Sequence, residues 1–298
     1  MSKSEDKETF MNLMTDYGFK RMFGSNKRKQ ILIRFLNIVF EKDGIVVKDV
    51  TFHDKEILPA SKEGKRIVYD VYCTTPNDKE HIIVEMQQVY HDYFENRTLL
   101  YASKVIAEQK KKGDDYDLSP VYSIFLVDFH FPHMTRNDIH DVKLMDVNTH
   151  EVYSEALRML FLHLAQAKKN WEDCKTAYDK LLFVIKNMHK MDKESKAYLS
   201  GEFDEMFKEA EVSSLASEDF VLYSQSRLKY EENLAAVRYA EKSYFQKGEL
   251  SGFKKGRAEG RAEGRAEGIE SIARKMMEKG MSAELIESVT GLSPEQLN

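Results

Sequence analysis

Residues 66–89 carry the most informative chemistry in the chain and read RIVYDVYCTTPNDKEHIIVEMQQV. Two apolar, β-branched runs flank a Pro-Asn-Asp turn at 76–78, so the pattern predicts an antiparallel hairpin. If the turn is centred on its last peptide bond, Asp70 lies directly opposite Glu85. If it is centred one residue earlier, the two lie diagonally on the same face. Because cross-strand neighbours are ~4.5–5.5 Å apart at Cβ and diagonal ones ~7–8 Å, either register brings both carboxylates within reach of one cation.

A close carboxylate pair predicts a divalent metal site. Two negative charges at this spacing repel each other unless a cation bridges them, and hard oxygen ligands favour Mg²⁺ or Mn²⁺ over Zn²⁺. The competing interpretation is a solvated strand face with ordinary cross-strand charges. The flanking sequences, IVYDVYC (67–73) and HIIVEMQ (81–87), are apolar enough for central strands. An unpaired carboxylate is costly in such a strand, which favours the metal site.

The elements around the hairpin are predicted from the spacing of apolar residues. Helical spacing occurs at 9–24, 29–40, 91–112 and 172–245, and short β-branched runs predict strands at 45–54, 66–75, 80–89 and 120–129. By count, LRMLFLHL (157–164) fits a helix, although a strand is equally compatible because periodicity does not separate the two in a short apolar run. The predicted core order is α, β, β, β, α, β.

The charge distribution limits how the chain could meet nucleic acid. With 45 Lys+Arg against 50 Asp+Glu, the formal net charge is −5 and the pI is about 6.0, which excludes a uniformly basic coat. Acids concentrate in 201–237. Residues 20–34 contain no acid and six cations, namely Lys20, Arg21, Lys27, Arg28, Lys29 and Arg34. This run predicts phosphate contacts or, alternatively, a solvated charged face.

Together these motifs resemble the PD-(D/E)XK nuclease family transposases, a group that includes recombination-promoting nucleases. The resemblance covers most of the chain and is carried, in order, by LMTDYGFKRMFG (13–24), FLNIVF (35–40), Asp70, Glu85-x-Gln87, NRTLLYASK (96–104), PVYSIFLVDF (120–129), the glycine-rich tail and TGLS (290–293). It implies an α/β (α+β) fold, with a restriction-endonuclease-like αβββαβ core and a helical C-terminal region. It also implies strands at 139–147 and 157–166, the second against the helical count.

The resemblance also implies roles for individual positions. Asp70 and Glu85 would be the catalytic, metal-binding carboxylates, with the backbone carbonyl of Met86 as a further ligand and Asp16 as a fourth candidate. Gln87 stands where the wider superfamily most often has lysine. An amide has no charge and no acid–base chemistry, so Gln87 can only orient water or a phosphate oxygen by hydrogen bonding. The DNA-binding candidates are Lys20, Arg21, Lys27, Arg28, Arg97 and Lys104.

Three further candidates also have a structural alternative. Asp16 is equally suited to be a helix cap or a surface acid. Arg97 and Lys104 stand seven residues apart on one predicted helix face, a spacing suited to gripping a backbone phosphate. Their alternative is pairing within the chain, with Glu95 or Glu108.

A glycine ladder marks the C-terminal part of the chain. Six glycines stand four residues apart from Gly248 to Gly268, and 256–267 read GRAE three times. In a helix this repeat would place like charges at i, i+4, and each glycine would cost about 1 kcal/mol relative to alanine. A low-complexity linker and a helix that forms a homo-oligomer are both compatible with this pattern.

The predicted organisation has four parts. They are a nuclease domain (1–168), a helical region (169–247), the glycine-rich linker or helix (248–268) and a short helical tail (269–298). The tail resembles a truncated helix-turn-helix, with a helix start and capping box formed by Ser293, Pro294 and Gln296.

The predicted function is Mg²⁺- or Mn²⁺-dependent endonucleolytic cleavage of DNA, associated with recombination or mobile DNA. The alternative is a catalytically weak DNA-binding or protein-interaction module that keeps the fold. A G-x-G-x-x-G or P-loop motif is lacking, so no nucleotide cofactor is expected. Two cysteines, no signal peptide and no apolar run of roughly 18 residues predict a cytoplasmic protein without a membrane partner.

Overall fold

A computed structural model describes residues 8–54, 56–57, 67–109, 117–195 and 201–293. The chain forms two compact units, Met1–Asn233 and Leu234–Asn298. The helices are α1 (Asp16–Phe23), α2 (Lys29–Val39), α3 (Phe94–Glu108), α4 (Ala177–Asn187), α5 (Asp204–Ala210), α6 (Ser217–Glu278) and α7 (Ala283–Thr290). The strands are β1 (Thr51–Phe52), β2 (Glu56–Ile57), β3 (Ile67–Val68), β4 (Val71–Thr74), β5 (His81–Gln87), β6 (Val121–Val127), β7 (Ile139–Met145) and β8 (Val152–His163).

The first unit is built on a six-stranded mixed sheet of order β1-β4-β5-β6-β8-β7. Strands β5, β6 and β8 run parallel at its centre, while β1, β4 and β7 are antiparallel to their neighbours. Strands β2 and β3 form a separate two-stranded sheet. The fold is therefore the mixed α/β class that the sequence predicts, with the carboxylate-bearing β5 in the interior of the sheet.

The two faces of β5 meet different layers of the core. Ile82, Val84 and Met86 belong to the main hydrophobic cluster, which includes the buried faces of α1, α2 and α4. Ile83 packs on the other side with Val105 of α3. Because side chains alternate along a strand, Glu85 and Gln87 share the α3 side of the sheet with Ile83. The two polar residues of the ExQ motif therefore lie on the face of the sheet that α3 covers.

The register of the central hairpin is the direct one. Strand β4 pairs with β5 from Val71 opposite Val84 to Thr74 opposite His81. Extending that register by one residue places Asp70 opposite Glu85. The more distant, diagonal arrangement is therefore excluded.

Two of the element predictions differ from the structure. The strand predicted over 45–54 is reduced to β1, because the Asn37 side chain bonds both the amide and the carbonyl of Val47 and so satisfies backbone groups that a ladder would otherwise use. The helix that the apolar spacing favours for 157–164 is wrong. This segment lies in β8, where it pairs with β6 and β7, so the strands implied by the resemblance are confirmed. The predicted helix over 91–112 is observed as α3, and its last residues lie outside the described ranges.

Helix α6 contains the whole glycine ladder. Its 62 residues run without interruption from Ser217 to Glu278, so 248–268 is helical throughout rather than an irregular linker. A Cβ built at any glycine from Gly248 to Gly268 would meet no atom within 4 Å. Within the described chain, nothing in the local packing requires these residues to be glycine. In the described ranges no helix is both long and apolar enough to cross a membrane.

Candidate active site

Two reciprocal hydrogen bonds join Asp70 and Glu85 at the open end of the hairpin. The main-chain amide of Asp70 donates to Glu85 Oε1 at 3.0 Å, and the amide of Met86 donates to Asp70 Oδ2 at 3.0 Å. They form there because β3 turns away to pair with β2, and β4 begins only at Val71. The carboxylates thus take the place of ladder bonds and are fixed by the backbone of the opposite strand.

Both carboxyl groups are removed from solvent. Glu85 is 4% exposed and the Asp70 side chain 17% exposed. Burial raises the pKa of Asp70 above its usual value, and burial together with the Asp70 charge raises the pKa of Glu85 well above its own. The neighbouring cations therefore offset the two negative charges only in part, and a divalent cation would supply further positive charge.

Lys20 brings a cation to the pair from α1. Its Nζ lies 2.6 Å from Asp16 Oδ1, one helical turn earlier, and 3.3 Å from Asp70 Oδ1. Burial lowers the pKa of Lys20, but the hydrogen bond to Asp16 and the charges of Asp70 and Asp16 outweigh it, so the pKa is raised. Asp16 is 65% exposed and is not the helix cap, because Thr15 accepts the capping bond from Gly18.

Helix α1 is held in place from several sides. Gly18 approaches the carbonyl of Asn12 so closely that a Cβ would clash with it, which explains the glycine inside a helix. The amide of Tyr17 donates to Ser226 Oγ at 3.0 Å, and Arg21 pairs with Asp219 at 2.9 Å. The first turns of α6 therefore fix the helix that carries Lys20.

Gln87 is oriented by a neighbour on α3. Arg97 donates a hydrogen bond to Gln87 Oε1, and Gln87 Nε2 lies 3.5 Å from Glu85 Oε2. The guanidinium of Arg97 also lies 5.8 Å from the ring centroid of Phe94 and 5.9 Å from that of Tyr101. These contacts fix the otherwise ambiguous amide so that its NH₂ group faces the carboxylate pair.

Two tyrosines, neither of them among the site residues predicted from the sequence, form a wall of the site. Tyr69 is fully buried and donates its hydroxyl to the carbonyl of Tyr101 at 2.9 Å, with the two rings 5.5 Å apart. Because Tyr69 precedes Asp70, its packing against α3 fixes the backbone at the carboxylate. In the sequence, Tyr69 directly precedes Asp70 and Tyr101 lies within the 96–104 motif. Aromatic residues at such positions also occur in ordinary hydrophobic cores, so the pattern did not single them out.

The donor set fits a hard divalent cation. Asp70 and Glu85 provide two carboxylates, and the carbonyl of Met86 points to the same strand edge as its amide, which already faces Asp70. Within the described part of the chain, no group of three or more His, Cys, Asp or Glu side chains is placed to hold a metal. A cation here would therefore complete its shell with main-chain oxygen and water, the pattern usual for Mg²⁺.

Most of the predicted basic patch is paired within the chain. Arg21 contacts Asp219, Arg28 contacts Glu209 at 2.5 Å, and Lys29 contacts Asp49 at 2.6 Å, while Lys27 is exposed. Lys104 pairs with Glu108 at 3.0 Å, the alternative considered from its spacing. Two partners of the patch come from the acidic stretch 201–237, so folding neutralises part of both charge runs.

Comparison with known proteins agrees with this geometry. Residues 13–240, well over half of the chain, match the family model described as PD-(D/E)XK nuclease family transposase. The chain belongs to this family. Residues 267–298 of this PD-(D/E)XK chain match a second model, described as the Rpn/YhgA-like nuclease family, C-terminal HTH domain. No curated protein and no solved structure matches the chain.

Membership accounts for the fold and assigns a DNA-binding element to the tail. PD-(D/E)XK proteins have a restriction-endonuclease-like core, and the mixed sheet with its strand hairpin is that core. In the tail, Ala273 of α6 and Ile286 of α7 are buried against each other, with Leu292 packed beside them. The match therefore confirms the helix-turn-helix resemblance. The predicted capping box depends on Pro294 and Gln296, which lie outside the described residues.

Proposed function

We propose that this PD-(D/E)XK protein is a metal-dependent endodeoxyribonuclease that acts on recombining or mobile DNA. The observation that supports this most directly is the interlocked pair of buried carboxylates at Asp70 and Glu85. Two acids in an apolar interior are unfavourable without a cation, so their placement supports a cation-binding site. We propose Mg²⁺ or Mn²⁺ as the cation and the reducing cytoplasm as the location, which suits two free cysteines.

The side chains have distinct tasks in this proposal. A bound divalent cation would lower the pKa of a water ligand and stabilise charge on the phosphate. Asp70, Glu85 and the Met86 carbonyl would supply the oxygen ligands of the cation. Asp16 contacts the same Lys20 ammonium as Asp70 and would act on the cation through a water molecule. Gln87, fixed by Arg97, orients water or a phosphate oxygen with its NH₂ group.

DNA contact is proposed to involve both units. The helix-turn-helix at 267–298 is the natural duplex-binding element. Near the carboxylates, we propose phosphate contacts from Lys20 and Arg97, with a further contact from the exposed Lys27 of the basic run. Three other cations are paired with carboxylates outside the site and would first have to release them, namely Arg21, Arg28 and Lys104. Their contribution to affinity is therefore expected to be smaller.

A plasmid-cleavage assay tests the proposal. Wild-type protein should nick or linearise DNA only with Mg²⁺ or Mn²⁺, and Asp70→Ala and Glu85→Ala should each abolish cleavage. Glu155→Ala, at an exposed strand position, serves as the matched acidic control. Calorimetric titration with Mn²⁺ should show binding that both site variants lose. Wild-type cleavage rates in Asp70→Ala would contradict the assignment.

A DNA-binding module without efficient catalysis is the second candidate. It is favoured by one observation, the neutral amide of Gln87 beside Glu85, which brings no charge to the reaction. This alternative predicts DNA binding through residues 267–298 but no cleavage with either metal. Gel-shift and cleavage measurements on the same preparation distinguish the two functions.

A further inference from the structure

We propose that Lys20 is a catalytic residue of this site, and that its ammonium contacts the scissile phosphate. This inference rests on the proposed nuclease function and deepens it. The sequence pattern placed Lys20 within a general basic patch, whereas the structure places it at the carboxylate pair, 3.3 Å from Asp70.

The ammonium lies where a phosphate would enter. It bridges Asp16, which is largely exposed, and Asp70, which is largely buried. The Lys20 side chain is 32% exposed, so this position is not sealed from solvent. A phosphate approaching from solvent would otherwise meet three carboxylates, and a cation at this position offsets that repulsion.

Neighbouring groups are less suited to this task. Gln87 is neutral, and Arg97 is engaged by Gln87 and by the rings of Phe94 and Tyr101. Arg21, the next residue along α1, is paired with Asp219. Lys20 differs because its partner is itself a site carboxylate.

The position of Lys20 is also fixed before substrate binds. Thr15 caps α1, the close approach of Gly18 to Asn12 sets its entry, and Ser226 of α6 binds the Tyr17 amide. A charge held by a rigid element needs no reorganisation when negative charge develops on the phosphate. Such preorganised charges stabilise transition states most effectively.

Lys20→Met tests this role, because it keeps most of the aliphatic chain and removes the charge. Lys168→Met is the matched control, since Lys168 has similar exposure, 37%, and also lies near two carboxylates, Asp138 and Asp179, each at 3.9 Å. We expect Lys20→Met to slow single-turnover cleavage about 100-fold, the loss typical of removing one transition-state contact. Lys168→Met should cleave like wild type.

Two binding measurements separate this role from simpler ones. Calorimetric titration with Mn²⁺ should give an affinity for Lys20→Met equal to or tighter than wild type, since an ammonium competing for Asp70 is gone. Affinity for a DNA duplex, measured without divalent metal, should fall by less than about tenfold, as for one lost phosphate contact. A loss of cleavage fully explained by weaker DNA binding would overturn the catalytic role.

A second-site variant guards against a folding defect. Gln87 lies on the same strand face as Glu85, with its amide nitrogen 3.5 Å from that carboxylate. Lysine at this position would bring an ammonium to the pair from the sheet side. We expect Lys20→Met with Gln87→Lys to recover at least about tenfold of the lost rate, as restored transition-state charge should. A double variant that folds like wild type but recovers nothing contradicts the proposal.

The two proposals fail in different ways. If wild-type protein neither binds Mn²⁺ nor cleaves DNA, the nuclease function itself is wrong. If wild type cleaves and Lys20→Met cleaves at the same rate, the nuclease function stands and Lys20 is only a displaceable counter-ion.

Discussion

The Asp70 amide donates to the Glu85 carboxylate while the Asp70 carboxylate accepts from the next residue along β5, so each strand holds the other's acid. This reciprocal arrangement fixes the two oxygens at the cost of burying like charges in one place. Stability and metal binding are consequently linked at this site, which makes its role measurable even without a substrate.

Glu85→Gln is expected to stabilise the metal-free protein. Burial and the charge of Asp70 raise the pKa of Glu85, so removing its charge relieves repulsion, while an amide oxygen can still accept from the Asp70 amide. We therefore expect a higher urea-unfolding midpoint at pH 7.5 for this variant than for wild type. Glu155→Gln should leave the midpoint unchanged. A lower midpoint for Glu85→Gln, with the fold intact, would argue against a charge-strained pair.

Tyr223→Phe should weaken the anchorage of the N-terminal segment. The buried hydroxyl accepts from the Asn12 amide at 2.8 Å and donates to Glu8 at 2.6 Å. Removing it leaves a buried amide without its acceptor, so a loss of about 1–3 kcal/mol is expected in chemical unfolding. Tyr239→Phe, on an exposed part of α6, is the control and should have no effect. Equal stabilities for the two variants would show that Tyr223 contributes nothing beyond packing.

His189 should make the protein less stable in mild acid. Burial lowers its pKa to about 4, and its Nδ1 is buried without a hydrogen-bond partner in the described structure. The unfolded chain, with a pKa near 6.5, therefore binds the proton first, and this contribution to stability is lost as pH falls below 6.5 towards 4. With allowance for partial exposure, we expect about 1–2 kcal/mol between pH 6.5 and 5.

The measurement for His189 is a difference. Urea unfolding at pH 7 and pH 5 should show a steeper decline for wild type than for His189→Phe. His133→Phe removes an exposed imidazole and should keep the wild-type decline. If His189→Phe and wild type decline in parallel, another group dominates in this range.

Gly260→Ala with Gly264→Ala tests why α6 retains its glycines. Within the described chain a methyl at either position meets no atom within 4 Å, so each alanine should favour the helix by about 1 kcal/mol. We expect higher helical content and melting temperature by circular dichroism. If a second copy packs on the glycine ladder, the homo-oligomer alternative for this repeat, mass in solution should fall towards the monomer. An associated protein whose mass does not change would exclude that contact.

The sequence alone predicted a large part of the site. The placement of Asp70 and Glu85 on one face follows from turn position and a side-chain period of two, which are local properties, while the observed pairing of β4 with β5 selected the direct register. The alternation that directs Val84 and Met86 to the core and Gln87 to the opposite face follows from the same period. These features survive folding because they depend on residues within a single short segment.

Other features were decided by tertiary structure. Periodicity could not distinguish helix from strand for 157–164, and the pairing of β8 between β6 and β7 settled it. The basic run at 20–34 became a set of ion pairs only when Glu209 and Asp219 approached it from elsewhere in the chain. Lys20 acquired its place beside Asp70 in the same way. The local sequence pattern predicts which face of an element a side chain occupies. Its ion-pair partner comes from a distant segment of the chain, and only tertiary packing brings the two together.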